Sequence, residues 1–171
     1  LHARAFAERH GAQVRLLETG AALAHGLPAG LARPTHVIAQ SWLLDPPERH
    51  DALARLLAGL PEGTVTAYLD TSANADIRLA RAFSEVDLYF KKSLFADRAA
   101  HLRPTAGDTN LTEYYGHLLG MPEATVDWAI PESIIPKLRV APNFLTAPGL
   151  AEGFLARRAP PDGPREIDLH V

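Results

Sequence analysis

Polar and charged residues follow two apolar runs at the points where those runs end. The triplet 70–72 (Asp-Thr-Ser) follows the run 64–69, and the pair Lys91 and Lys92 follows the run 86–90. Because ligands of parallel α/β sheets bind beyond the carboxyl ends of the strands, these groups lie where a site is expected. One carboxylate, two hydroxyls and two ammonium groups suit a polyhydroxyl or a phosphorylated ligand.

The same residues also have a structural interpretation. Asp70 and Ser72 are types that cap helices, and Lys92 can simply be solvated. Both interpretations stay open, with Asp70 as a candidate catalytic carboxylate and Ser72, Lys91 and Lys92 as candidate substrate-binding residues. If Lys91 binds substrate, we expect its replacement by Ala to lower activity without lowering the melting temperature.

A second polar group lies in residues 107–115, Gly-Asp-Thr-Asn-Leu-Thr-Glu-Tyr-Tyr. Carbohydrate sites combine carboxylates and amides, which bind hydroxyls, with an aromatic ring that covers the apolar side of the sugar. Asp108 and Glu113 are therefore candidate catalytic carboxylates, and Asn110 and Tyr114 are candidate substrate-binding residues. Alternatively, Asp108 caps the helix predicted directly after it.

The elements that position these groups alternate between helix and strand, which is typical of βαβ units. We therefore predict an α/β fold, a Rossmann-like three-layer domain with a mainly parallel sheet. Residues 19–34 are expected to be a connection with at most a short helical turn. Asp45 is expected to cap the second helix, with Pro46 at its first position. The predicted helices are 2–10, 46–59, 74–83 and 111–119, and the predicted strands are 12–18, 35–41, 64–69 and 86–90.

Composition excludes several classes of protein. With a net charge of −3, the chain lacks the surplus of positive charge that nucleic-acid binding proteins use to contact phosphates. The absence of cysteine excludes disulfides, thiolate nucleophiles and cysteine-ligated zinc, and it fits a cytoplasmic location. No apolar run is long enough to be a transmembrane segment. The eight histidines show no metal-ligand spacing, and neither a glycine-rich dinucleotide motif nor a P-loop is present, so we expect no metal and no cofactor.

Domain organisation is predicted from the termini. Residues 1–158 are expected to form one Rossmann-like domain, and 159–171 a Pro-rich linker followed by the start of a second domain that is cut off. The chain opens at Leu1 within a helical pattern, so we also expect residues upstream of it.

Two segments, TAYLDTSANADIRLARAFSEVDLYFKKSLF and GDTNLTEYYG, resemble bacterial GT-B glycosyltransferases of the exostosin-like group. In that group a strand ends on Asp, and the next strand carries Asp-x-Tyr-x-Lys-(Lys/Arg). The matching residues here are Asp87, Tyr89, Lys91 and Lys92. The resemblance covers residues 35–120 moderately and the rest of the chain weakly.

The resemblance implies a two-domain enzyme that transfers a sugar from a nucleotide-sugar donor to a carbohydrate or other small acceptor. This chain would be the N-terminal, acceptor-side half of the enzyme, and a downstream domain would bind the nucleotide-sugar donor. Metal is generally not needed in such enzymes, and the half alone is expected to be inactive. Two alternatives stay open: a non-catalytic α/β binding or regulatory module, and an unrelated Rossmann-like enzyme using a nucleotide or methyl-donor cofactor.

Overall fold

The computed structural model describes residues 7–31, 33–41, 44–72, 74–107, 109–121 and 124–141 of the chain. The chain divides into two compact units: Leu1–Val14 with Pro142–Val171, and Arg15–Ala141. In the first unit, residues 7–10 are helical and Gly11 follows with a φ of 60°, so the described part of the predicted first helix ends as expected. The predicted domain boundary and the predicted last strand lie outside the described residues.

The second unit contains a four-strand parallel sheet and a separate two-strand antiparallel sheet. Short 3-10 turns lie at Ala29–Leu31, Arg98–Leu102 and Glu132–Lys137. The α-helices are α1 (Thr19–His25), α2 (Pro47–Ala58) and α3 (Asn110–Leu119), and the strands are β1 (His36–Ala39), β2 (Val65–Asp70), β3 (Leu88–Lys91), β4 (Thr105–Ala106), β5 (Thr125–Val126) and β6 (Leu138–Val140).

The main sheet has the strand order β1-β2-β3-β6, and every neighbouring pair is parallel. The predicted parallel α/β architecture is therefore confirmed, and the arrangement is consistent with a Rossmann-like layer. Because all four strands run in one direction, their carboxyl ends lie along a single edge of the sheet. The residues that follow β1, β2 and β3 accordingly meet at this edge, which we call the rim.

The core lies on the sheet face that carries Tyr68 and Tyr89, which pair across β2 and β3 and are both fully buried. Helix α2 buries Leu53 and Leu57, spaced one helical turn apart, in the same cluster. Phe83 stacks on Tyr68 with ring centroids 3.7 Å apart. This packing fixes the strands whose ends form the rim.

The helix predicted at 74–83 is wrong, because residues 78–85 form successive turns. Ile77, Ala80 and Phe83 are nevertheless buried, as expected. The Ala80 amide donates to the Ile77 carbonyl three residues back, whereas the Phe83 amide donates to Leu79 four residues back. A spacing of three suits such turns as well as a helix, so the pattern predicted the burial correctly although the residues form turns.

Two further predictions near the amino terminus are also wrong. Residues 12–18 are irregular rather than a strand, and Leu16 is 83% exposed. Residues 19–25 form α1 instead of a mere turn, because the Glu18 carboxylate accepts hydrogen bonds from the amides of Gly20 and Ala21. Strand propensity stabilises a segment only where it pairs and packs, and this segment does neither in the described part of the chain.

The predicted caps of two helices need correction. Pro46, not Asp45, occupies the N-cap of α2, and its side chain makes no capping hydrogen bond. The Asp45 carboxylate lies 3.6 Å from the Arg49 guanidinium, one turn further along the chain. Helix α3 is capped by Thr109, whose hydroxyl accepts from the Thr112 amide at 3.0 Å. Asp108, the cap predicted from the sequence, lies outside the described residues.

Helix α3 packs against β4, which pairs with β5 to form a small subsidiary sheet. The short elements after residue 121 agree with the many prolines there. No helix within the described ranges has the length and apolar character needed to cross a bilayer.

Candidate functional site

The rim is organised around the Asp70 carboxylate, which ends β2 and is 4% exposed. One oxygen, Oδ2, accepts from the Tyr89 hydroxyl at 2.9 Å. The other, Oδ1, accepts from the amide and hydroxyl of Ser72 at 2.9 and 2.6 Å. The Lys91 ammonium lies 3.5 Å from the same Oδ1. Asp70 is therefore hydrogen-bonded through both oxygens.

Lys91 is fully buried, with 0% exposure, and pairs in register with Asp70 across β2 and β3. Its ammonium also donates to the carbonyl and hydroxyl oxygens of Ser72 at 2.7 and 2.5 Å. Burial lowers the pKa of Lys91, while the Asp70 charge acts in the opposite direction. The Lys91 carbonyl accepts from the Ala141 amide, just after β6. Lys91 therefore joins β2, the turn after β2, and β6.

The other motif residues also join β2 to β3. Asp87, just before β3, accepts from the Thr66 amide and hydroxyl at 2.7 and 2.9 Å, and these bonds lower the pKa of Asp87. Tyr89 donates to Asp70, and its burial raises the pKa of the Tyr89 hydroxyl well above the ordinary value. The Asp-x-Tyr-x-Lys pattern is thus a series of contacts between two adjacent strands.

The end of β1 is tied to the same edge by a pair of hydroxyls. Ser41 and Tyr68 are hydrogen-bonded at 2.8 Å between Oγ and the phenolic oxygen. Burial raises the pKa of Tyr68 to about 12, so its hydroxyl is neutral at physiological pH. The rim therefore contains a fixed polar group after each of the three strands β1, β2 and β3.

The groups that solvent reaches are those beside the buried pair. Thr71 and Lys92 are exposed, and Ser72 is half-buried. A ligand at the rim would meet two hydroxyls and one ammonium, since Lys91 has its hydrogen bonds inside the protein. Of the sequence-predicted residues, the structure thus brings Asp70, Ser72 and Lys91 into direct contact, and Lys92 adjoins them in the chain.

Of the second predicted group, Glu113 and Tyr114 lie on α3 and share no described contact with the Asp70–Lys91 pair. Glu113 accepts from the Arg103 guanidinium at 2.8 Å. Tyr114 is 61% exposed and its ring lies against the ring of Tyr115. Asn110 is the first residue of α3. The roles predicted for these residues and for Asp108 stay predictions.

His101 is a buried titratable group that sequence reasoning did not identify. It is 4% exposed, and its Nε2 accepts from the Phe95 amide at 3.3 Å. Burial lowers the pKa of His101 to about 4, and the charges of Arg98 and Lys91 act in the same direction. Asp76, also buried, raises the pKa of Lys91 through its charge. No spacing in the sequence marks either residue, because the partners come together only in the fold.

These features define a parallel α/β domain with a buried ion pair at the carboxyl edge of its sheet. Comparison of the chain with protein-family models, with curated proteins and with solved structures gives no match. Within the described ranges, no three histidine, aspartate or glutamate side chains gather in a way that could hold a metal ion.

The burial of Lys91 changes the outcome expected for its variants. We expect Lys91→Met to lower the free energy of unfolding by about 3–5 kcal/mol, because it leaves the buried Asp70 charge without its cation. Lys92→Met, a matched change at an exposed neighbour, should alter stability by less than about 0.5 kcal/mol. Urea denaturation of both variants measures the difference, and equal stabilities would show that the ammonium of Lys91 is not fixed in the core.

His101 should make stability depend on pH. Its folded pKa of about 4 lies below its ordinary value of 6.5, so the unfolded chain binds the proton first as pH falls. The stabilisation is complete above pH 6.5 and is lost progressively as pH falls toward 4. Between pH 7 and pH 5 the loss should be about 2 kcal/mol.

Denaturation at pH 7 and pH 5, with His101→Gln as the comparison, measures this contribution. The glutamine side chain keeps an acceptor for the Phe95 amide but does not titrate, so the variant should lose less stability over the same interval. Asp87 does not obscure the result, since its pKa is lowered from 3.8 and it titrates below this interval. An equal loss in both proteins would contradict the depressed pKa.

Proposed function

We propose that this chain is the acceptor-side, N-terminal domain of a GT-B glycosyltransferase of the exostosin-like group. In this proposal the parallel sheet is the central layer of a three-layer Rossmann-like half. The enzyme transfers a sugar from a nucleotide-sugar to a carbohydrate or other small acceptor. One observation carries the proposal: the residues of the resembling motif, Tyr89 and Lys91, converge on Asp70 at the edge where ligands of parallel sheets bind.

The buried pair would act as a support for the acceptor site. The Lys91 ammonium holds both the carbonyl and the hydroxyl of Ser72, which fixes the turn after β2. The exposed Thr71 hydroxyl is carried by that turn, and Lys92 extends from the end of β3. In the proposal, the hydroxyls of Thr71 and Ser72 bind acceptor hydroxyls, and Lys92 donates a charge-assisted hydrogen bond to acceptor oxygen.

The candidate catalytic carboxylates differ in what their oxygens already bind. Both oxygens of Asp70 accept hydrogen bonds from inside the protein, so Asp70 fits a positioning role better than that of a general base. Glu113 has one described partner, Arg103, and stays a candidate base. Asp108 is retained from the sequence alone. The donor would be held by the second Rossmann-like domain that the resemblance implies, with no metal.

Ligand titrations followed by amide NMR test the acceptor role. We expect neutral and anionic disaccharides to shift the amides of Thr71, Ser72 and Lys92, while UDP-, GDP- and CDP-sugars produce smaller shifts there. Lys92→Ala should weaken disaccharide binding about tenfold without changing the melting temperature, because it removes one charge-assisted hydrogen bond.

The matched control is Arg55→Ala, which removes an exposed cation from α2. Helix α2 starts beyond the end of β1 and returns toward the amino ends of the strands, so Arg55 lies away from the rim. Its replacement should leave disaccharide binding unchanged. If no sugar shifts the rim amides, the acceptor role fails, and the alternative of a non-catalytic module for another ligand is favoured.

A further inference from the structure

Helix α3 has an apolar face that is turned to solvent. Leu111, Tyr114, Tyr115 and Leu118 are 53%, 61%, 52% and 63% exposed. Their spacing of three and four residues places all four on one side of the helix. Leu119, the last residue of α3, and Met121, two residues later, are also exposed, at 63% and 50%.

The opposite side of α3 faces the protein and is made of small or polar residues. Gly116 is buried and Thr112 is half-buried, and the helix packs against β4. A surface helix normally directs its apolar side toward the core and its polar side toward water. In α3 this arrangement is inverted, so the chain as described leaves the apolar side without a covering surface.

The exposed apolar area is a large part of what one partner contributes to a stable interface. The six apolar side chains in and just after α3 expose on the order of 600 Å², compared with roughly 800 Å² contributed by each partner in a standard interface. It also reaches the largest patch that ordinary monomers expose, about 300–600 Å². Flanking residues at the edge of the helix would supply the remaining area.

The sequence of the face indicates which partner covers it. Residues 111–118 have the pattern Leu-x-x-Tyr-Tyr-x-x-Leu, which is the same in both directions. In an antiparallel pair of helices with a two-fold axis between Tyr114 and Tyr115, each Leu111 lies opposite Leu118 of the other copy. Each Tyr114 likewise lies opposite the other copy's Tyr115. A closed two-fold interface is self-complementary, and this pattern meets that condition by placing an apolar residue opposite each apolar residue.

We propose that α3 is a homodimerisation helix that pairs antiparallel with α3 of a second copy of this chain. The four large apolar side chains of each helix pack against their symmetry equivalents, and the tyrosine hydroxyls stay at the solvent-accessible border. The antiparallel arrangement also places the helix dipoles in opposite directions, which favours the pair. The residues of this surface have no described contact with Asp70, Ser72 or Lys91, so the dimer can be tested apart from the rim.

Sedimentation equilibrium of the 171-residue chain tests the dimer. We expect the mass to rise with concentration from 18.5 kDa to twice that value and no further. Leu118→Glu buries two carboxylates per dimer and should raise the dissociation constant at least about 100-fold. Leu44→Glu is the matched control, since Leu44 is 80% exposed but lies outside α3, and it should leave the dissociation constant unchanged.

Cross-linking tests the antiparallel geometry, and the natural absence of cysteine leaves no competing thiol. In the proposed pair, Leu111 of one copy lies roughly 10 Å along the helix from Leu111 of the other, too far for a disulfide. Mild oxidation should therefore link Leu111→Cys/Leu118→Cys chains into dimers but leave Leu111→Cys chains unlinked. Efficient linkage of the single variant would contradict the antiparallel pair.

Three results would overturn the proposal. They are a monomer at every accessible concentration, an open series of larger oligomers, and a dimer that Leu118→Glu does not weaken. A monomer in which Tyr114→Ala abolishes disaccharide binding would instead assign the ring of Tyr114 to the sugar-stacking role predicted from the sequence. A dimer whose disaccharide binding survives Leu118→Glu supports the separation of the two surfaces.

Discussion

The ion pair between Asp70 and Lys91 is the constraint on which the described fold depends. Burying two opposite charges costs several kcal/mol for each ion unless further hydrogen bonds satisfy them. Here the Tyr89 hydroxyl and the amide, carbonyl and hydroxyl groups of Ser72 supply those bonds. The pair also specifies register, because a shift of one residue between β2 and β3 would place the two charges on opposite faces of the sheet. The register of β2 and β3 that pairs Asp70 with Lys91 is therefore also the register in which both buried charges are satisfied.

In the proposed acceptor site, the ion pair would support the side chains that bind the ligand without binding the ligand itself. The charges of Asp70 and Lys91 are buried, and the groups that water reaches are their chain neighbours, Thr71 and Lys92. Rigid support of this kind keeps ligand-facing side chains in a fixed geometry and lowers the entropy lost on binding. A motif that looks like a ligand site in sequence can accordingly contribute by positioning rather than by contact.

Sequence reasoning identified the parallel sheet because β1, β2 and β3 are apolar runs with polar residues directly after them. It also placed Asp70 and Lys91 at one edge, since parallel strands require it. The prediction of a helix over 74–83 was wrong because the spacing of the apolar residues Ile77, Ala80 and Phe83 fits turns as well as a helix. Residues whose partners are distant in the chain, such as His101, carried no local signal.

The exposed side of α3 was equally beyond prediction from the sequence. Periodicity shows that a helix has an apolar side, but it does not show whether that side meets the core, a second chain or water. Only the structure, in which α3 packs on β4 while Gly116 is buried and the apolar side is exposed, reveals that this side points outward.

The strand order has a consequence for how the chain folds. Strands β1, β2 and β3 pair with their neighbours in sequence. Strand β6 pairs with β3 across a long connection, so that Leu138 lies opposite Tyr89. Closing that loop costs entropy before its contacts form, so the first three strands can assemble ahead of the fourth. Because β6 lies at an edge of the described sheet, it should detach early in partial unfolding, and its amides should exchange with solvent faster than those of the central strand β2.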